Sequence, residues 1–467
     1  MRNAMLRGFT VGALTIGIGT VPALAAEPEQ EHLSTYVLDD IIVTASRSDT
    51  AISDVPADVT LISEAQIARG NYKNVSEALK GANINVVQKG FAAYPVINGD
   101  TRVLVMVDGK KMNWDHLMVS GDDNAIDVDQ IAIGDVERIE IVRGPNSSLY
   151  GERAVSGVVN IITKRAPTGD ITGSVNLRYG TWNDRRLGIT AGGGDAKNRI
   201  KVGYANEKRK NYDYKNSDGD KLEFPDSFRD RKDYTLGFEH RLGDDRIVLD
   251  FSRNESRDGF GIYLTDPKAG IAYGAGTKSR QTNTTYGVTY HFGVEKEGEG
   301  TFLRYYRKTA EANSPFAGTP YTHDLDRDTI EGQKLWVLND KNMLIGGFLW
   351  ARDSLFENND GAVMDASAAT KALFLEDDWQ LGRGYALKLG TRYEHHSDFG
   401  GNTASHISLN KKFSRGTHAY ISWGQAINNP TLKMRYADTP YMKGNPALEQ
   451  ETARTFTIGG ESRLSDK

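Results

Sequence analysis

From residue 166 onward the chain alternates apolar and polar residues with period two, and it does so about fourteen times. Over 171–180, Gly173, Val175, Leu177 and Tyr179 share one face, and Ser174, Asn176 and Arg178 share the other. Over 385–394, Tyr385, Leu387, Leu389, Thr391 and Tyr393 oppose Ala386, Lys388, Gly390, Arg392 and Glu394. Successive strand residues point to opposite faces, so each run predicts a strand with one apolar and one polar side.

The links between runs constrain the fold further. Those after odd-numbered runs are mostly long (208–230, 255–280, 309–327, 355–368 and 425–451), whereas those after even-numbered runs are short and turn-like, as at Leu242-Gly243-Asp244. Short turns on one rim and long loops on the other describe a transmembrane antiparallel β-barrel, whereas a soluble sandwich has no reason to sort its loops by parity. Lipid also requires each backbone donor and acceptor to be paired within the sheet.

Residues 1–25 read as a secretory signal: Arg2 and Arg7 precede an apolar stretch that ends in Ala23-Leu24-Ala25. The chain has no cysteine, which excludes thiol catalysis and Cys-ligated metal sites. With 57 Lys+Arg against 62 Asp+Glu, the formal charge of −5 gives no basic excess for binding nucleic acid.

Between the signal and the alternating region, 55–165 reads as a compact α/β module. Ser63-Glu64-Ala65-Gln66 and Asn74-Val75-Ser76-Glu77 fit capping boxes opening short helices, Ala65–Ala68 and Val75–Leu79. Strands are expected over Arg102–Val107, Val136–Val142 and Val158–Thr163, with Asp108-Gly109 as a hairpin turn.

Three stretches resemble the TonB-dependent outer-membrane receptors. Asp39 to Ser46 (Asp-Asp-Ile-Ile-Val-Thr-Ala-Ser) is similar to the TonB box. Ile139-Glu140-Ile141-Val142-Arg143-Gly144-Pro145-Asn146-Ser147-Ser148-Leu149-Tyr150-Gly151, running on to Lys164, is similar to the end of the family's plug. Asn429-Pro430-Thr431-Leu432 and Asn445-Pro446-Ala447-Leu448 resemble elements flanking a long barrel loop.

The resemblance implies a signal peptide (1–25), a TonB box and linker (26–54), an N-terminal α/β plug inside the lumen (55–165) and a partial barrel (166–467). The family closes its barrel with 22 strands and ends on an aromatic residue, so about 14 strands lead us to expect an incomplete wall. Where the family has Ile-Arg-Gly, this chain has Ile97-Asn98-Gly99, so the plug-to-barrel arginine contact is either missing or moved to Arg102.

By the same resemblance the function is energy-coupled uptake of a ferric siderophore, with a catecholate favoured. A passive channel, or a receptor for haem or cobalamin, is the alternative. Asp40, Ile41, Ile42, Val43, Thr44 and Ala45 would bind TonB, Ile41–Thr44 adding as an extended strand to its sheet edge. TonB would carry energy from its inner-membrane complex; the siderophore-like ligand and outer-membrane lipid are the other partners, and use of the loops by colicins or phage stays open. No cofactor is expected, since iron enters only as part of the substrate, and no catalytic arrangement or metal site is seen.

Glu137, Arg138, Glu140 and Arg143 either meet lumenal residues such as Arg178, Lys388 and Arg392 in releasable ion pairs or form a solvated strand face. Substrate is expected at Phe91, Tyr94, Trp114, His116 and Tyr263, where aromatic rings beside cations suit a catecholate anion. His395-His396 is set aside as a metal pair, because neighbours on a strand face opposite ways.

Overall fold

A computed structural model describes residues 42–43, 50–51, 57–89, 92–116, 126–216, 218–260, 277–294, 300–315, 319–414, 417–439 and 442–462. At the N-terminus Ile42–Val43 (β1) pairs antiparallel with Thr50–Ala51 (β2). Asp40, Ile41, Thr44 and Ala45 lie outside the described residues, as do Phe91 and Tyr263.

The plug strands are Val59–Ser63 (β3), Asn85–Lys89 (β4), Ala92–Val96 (β5), Val103–Val107 (β6), Lys110–Lys111 (β7), Val136–Arg143 (β8) and Gly157–Thr163 (β9). Five of them form one sheet in the order β3-β8-β9-β6-β7, with β6 and β9 parallel. One face of this sheet carries the core, where Val105, Ile139, Ile141, Val159 and Ile161 are fully buried in one cluster, while Glu140 and Asn160 stand opposite each other on the other face.

Two short helices, Glu64–Gly70 (α1) and Val75–Gly81 (α2), pack on this core. Ser63 and Gln66 make the reciprocal bonds of a capping box. The second cap differs from expectation. Asn74 accepts from the Glu77 N–H, but the Glu77 carboxylate reaches the Lys73 N–H instead of Asn74. Asp108 and Gly109 both have positive φ, the conformation a two-residue I′ hairpin needs.

The alternating region forms a single fourteen-stranded antiparallel sheet with strands in strict sequence order. The order is linear: Gly169–Gly180 and Glu451–Ser462 are its two edges and do not pair with each other. The wall is therefore open, as the strand count led us to expect, and most of the first edge strand is exposed on both faces. Among the described residues no helix is long and apolar enough to cross a membrane.

The long links 208–230, 255–280 and 425–451 hold, and two need correcting. Phe302–Asn313 and Tyr321–Asn339 extend into 309–327 and leave only 314–320 between them, fewer residues than the 292–301 link on the opposite rim. Asn342–Asn359 and Ala362–Gly382 continue as strands through 355–368 and meet at a tight turn, Asp360-Gly361. Their outward residues there mix Asn358, Asp365 and Ser367 with exposed Phe356 and Val363, and the backbone ladder continues unbroken to the turn.

Candidate functional site

The family-like motif 143–151 seats the plug on the wall. Ser147–Tyr150 forms one helical turn (α3) against strands Tyr385–His396, Gly400–Ser414 and Thr417–Asn428. Ser148 Oγ bonds His406 Nδ1 at 2.7 Å, and Ser147 Oγ accepts from the Ile427 N–H. Gly151 needs to be glycine on two counts: its φ is +81°, and a Cβ there would sit 2.8–2.9 Å from Glu394 and Arg392. Arg102 reaches the wall, donating to Glu451 at 3.0 Å.

On another side the wall grips the plug by its main chain. Arg304 donates to the carbonyls of Asp108 and Gly109, Lys308 to that of Met112, and Arg327 to that of Asn113. Lys308 and Arg327 are cross-strand neighbours, a repulsive placement by itself. Two features offset it: each cation is aimed at a different carbonyl, and Asp353 pairs with Arg327 at 2.7 Å. Further along the wall, Lys110 pairs with Asp250, Asp135 with Lys201, and Asp127 with Arg231, at 2.7–3.0 Å.

Burial raises the Asp127 carboxyl to about 6 despite Arg231. Burial also raises Asp135 despite Lys201. Glu152 goes the other way: burial would raise it, but Lys111 and Arg153 hold it well below the usual carboxylate range. It is therefore a fixed anion, joined to Lys111 on one side and to Asn429 at 2.6 Å on the other.

At the long-loop end a third group of contacts covers the plug apex. Thr431 caps the short helix Leu432–Tyr436 (α4), accepting from the Met434 N–H. Leu432 packs into a buried cluster with Trp114, and Arg435 pairs with Asp398 and lies 3.9 Å from Asp115. Lys433 and His116 both bond Glu357 Oε2, at 2.9 and 3.2 Å, and Tyr321 donates to the same oxygen at 2.9 Å. Lys308 lies 4.0 Å from the Trp114 ring centroid and Lys433 4.8 Å from that of Tyr321.

The structure thus brings Trp114 and His116 together at the apex, both buried there under α4. Tyr94 needs correcting: it is 1 % exposed inside the plug core, because β5 turns it toward α2 and away from any open surface. The charged row on β8 needs correcting as well. Arg138 pairs with Glu137 and Glu140, and Arg143 with Asp58 and Thr60, all within the plug. Their expected partners are engaged elsewhere: Lys388 with Glu376 and Asp378, Arg392 with Glu394, and Arg178 with Asp184 and the Lys73 carbonyl. His395 is exposed and His396 buried, on opposite faces.

The wall cations Arg304, Lys308 and Arg327 escaped the sequence reading, although period two puts each on the face opposite lipid-facing Leu303, Tyr305 and Ile330. What sequence could not supply is the plug atom each one meets.

Residues 51–158 match the TonB-dependent receptor plug domain, and residues 163–466 match the TonB-dependent receptor-like β-barrel. Among relatives, a vitamin B12 transporter, BtuB, of Vibrio cholerae is 25 % identical over 89 % of this chain and 66 % of its own length. The iron-regulated outer membrane virulence protein of the same species is 24 % identical over 79 % of this chain. The chain spans just under two thirds of the first of these relatives and 56 % of the second. Among solved structures, the ferric enterobactin receptor PfeA of Pseudomonas aeruginosa superposes with a TM-score of 0.69 at 18 % identity, covering 88 % of this chain and 70 % of that one. The siderophore receptor PiuA of Acinetobacter baumannii gives 0.70 at 14 %, covering 92 % and 73 %.

Proposed function

Since the chain belongs to the TonB-dependent receptors of the outer membrane, we propose that it imports a ferric siderophore, of catecholate type, with energy delivered through TonB. The observation that carries this reading is the seat: a folded plug held against the barrel wall by hydrogen bonds and ion pairs that water can replace when the plug is pulled. A passive channel needs no such occupant.

Asp40–Ala45 is the segment that transmits the pull, binding TonB by strand addition. The apex supports the catecholate preference. Lys308 with Trp114 and Lys433 with Tyr321 are cation–ring pairs, and a catecholate supplies both a ring and a negative charge to replace either half. Lys308 and Trp114 are buried, Trp114 against Leu432 of α4, and Lys433 belongs to α4 itself, so entry of substrate requires α4 to lift.

The test is uptake of radiolabelled iron as a tricatecholate complex by cells that lack other receptors. Deleting Asp40–Ala45, or making Val43→Pro, abolishes uptake and leaves surface binding intact; proline removes a ladder donor and fixes φ. Uptake that survived both changes would sink the energised mechanism. Cobalamin is a second reading, favoured by the relatives named as vitamin B12 transporters. Saturable surface binding of cobalamin, with no binding of the tricatecholate, would select it.

A further inference from the structure

The outward face of the wall carries an unbalanced group of cations beside its longest links. Along Asp245–Phe260, Asn254 and Asp258 are buried on the lumenal side, so Arg253, Glu255 and Arg257 face out. On Thr277–His291, buried Ser279 likewise places Lys278 and Arg280 outward. Arg257 and Arg280 are directly opposed across the two strands, and both are exposed. Like charges in that position destabilise a sheet.

The neighbouring carboxylates do not relieve the pair. Asp230, on the other side of Arg257, bonds Lys208 at 3.1 Å. Glu255 accepts from Arg253 at 2.8 Å, and Asp226 lies 3.7 Å from Lys278. Among the described residues no carboxylate is within ion-pairing distance of Arg257 or Arg280; the Arg257 guanidinium lies 5.8 Å from the Phe228 ring centroid.

Height along the wall says what such a pair faces. Leu236, Phe251 and Tyr286 lie side by side in register as part of the apolar band, and Tyr204 and Tyr234 form an aromatic row two residues higher, level with Arg253. Arg257 stands four residues beyond that row. At ~3.3 Å per residue and a strand tilt of ~40°, this is about 10 Å above the belt, the depth of the lipid headgroups on the long-loop side. The cationic area is also bounded. On the next strands the outward residues at corresponding heights are Glu311, Asp324, Asp326 and Asp328, with Arg307 bound between the last two.

We propose that Arg257 and Arg280, with Lys232 and Arg253 below them, form a binding surface for the phosphates of an anionic glycolipid in the outer leaflet. A phosphate bridging two guanidiniums accepts from both forks and cancels the repulsion between them. The acyl chains of the same molecule then lie against Leu236, Phe251 and Tyr286. The inference rests on the outer-membrane placement of the wall and is independent of what the protein imports.

The test uses the full chain in detergent and, as probe, a diphosphorylated acylated glucosamine disaccharide, compared with the same lipid after removal of its phosphates, read by native mass spectrometry. The parent binds the phosphorylated form at least about tenfold tighter. R257Q/R280Q loses that preference, R257K/R280K largely keeps it, and K371Q, an exposed outward cation elsewhere on the wall, leaves it unchanged. Without lipid, R257Q/R280Q melts no lower than the parent, since it removes a repulsion. Equal binding of both lipid forms, an unaltered preference in R257Q/R280Q, or displacement of the lipid by an equal concentration of inorganic phosphate would each overturn the assignment.

Discussion

The interior of the plug and its seat on the wall are built from different chemistry. Inside, β6, β8 and β9 stack Val105, Ile139, Ile141, Val159 and Ile161 in a core that excludes water. At the seat the principal contacts are guanidinium and ammonium groups on carbonyls, carboxylates on cations, and hydroxyls on imidazole or backbone N–H. Apolar burial is lost whenever the surfaces part, whereas a hydrogen bond exchanged for one to water contributes only about 1 kcal/mol net. The contrast describes a unit that stays folded by itself and is held in place by bonds that can be surrendered one at a time.

The sharpest way to break the comparison is to damage the core alone. Ile139→Ala removes buried atoms from the middle of β8 and costs the plug about 2–5 kcal/mol. Hydrogen exchange should show β8 and β9 losing protection together, with the wall strands unchanged. Loss of protection confined to the seat contacts would mean that the plug has no stability of its own.

Damage to the seat comes next in size. Arg304→Gln removes two bonds to plug carbonyls and the ion pair with Glu331, and should weaken docking by about 1–3 kcal/mol. Urea should then release the plug earlier at unchanged plug stability. Equal weakening of β8 and β9 would show that seat and core are one cooperative unit.

The legibility of the fold in the sequence follows the same division. Period-two alternation and link parity were enough for the wall, because a strand between lipid and lumen has no freedom in which side faces which. Capping residues and Asp108-Gly109 were enough for the plug's punctuation. The site was less readable because its contacts join residues up to some 350 positions apart, as Arg102 and Glu451 do. The β8 charges illustrate the failure: alternation made them the polar side of a half-buried strand, but β8 lies inside its sheet with Glu140 fully buried, and the pattern does not say whether the partners belong to the same domain. Tyr94 failed for the opposite reason, since a tyrosine in a loop-like context carries no mark that distinguishes a core ring from an exposed one.

Acidity probes the seat with a sign that runs against intuition. Asp127 pairs with Arg231, so protonation seems bound to loosen the plug. Yet its carboxyl is raised to about 6 when docked, against an ordinary value near 4, because burial outweighs the ion pair. The docked state therefore holds more protons between those values, and docking strengthens as pH falls through about 6 toward 4. The expected gain is about 1–3 kcal/mol, and Asp127→Asn should remove this part of the pH dependence. Docking that weakens over the same interval in the parent but not in Asp127→Asn would mean that the ion pair dominates.

The smallest expected effect tests the corrected row on β8. Glu137 has a side chain 36 % exposed and pairs with Arg138 of its own strand at 2.6 Å. An ion pair this wet is worth a few tenths of a kcal/mol, so Glu137→Gln should move neither plug stability nor docking by more than about 0.5 kcal/mol. Both are measurable in the urea experiment that reports on Arg304→Gln. A docking loss of 1 kcal/mol or more would place Glu137 in the seat after all and blur the boundary between the two regions. A silent Glu137 beside a costly Arg304 would instead locate the seat on the wall's cations and the plug's main chain, with the β8 charges paired among themselves inside the plug.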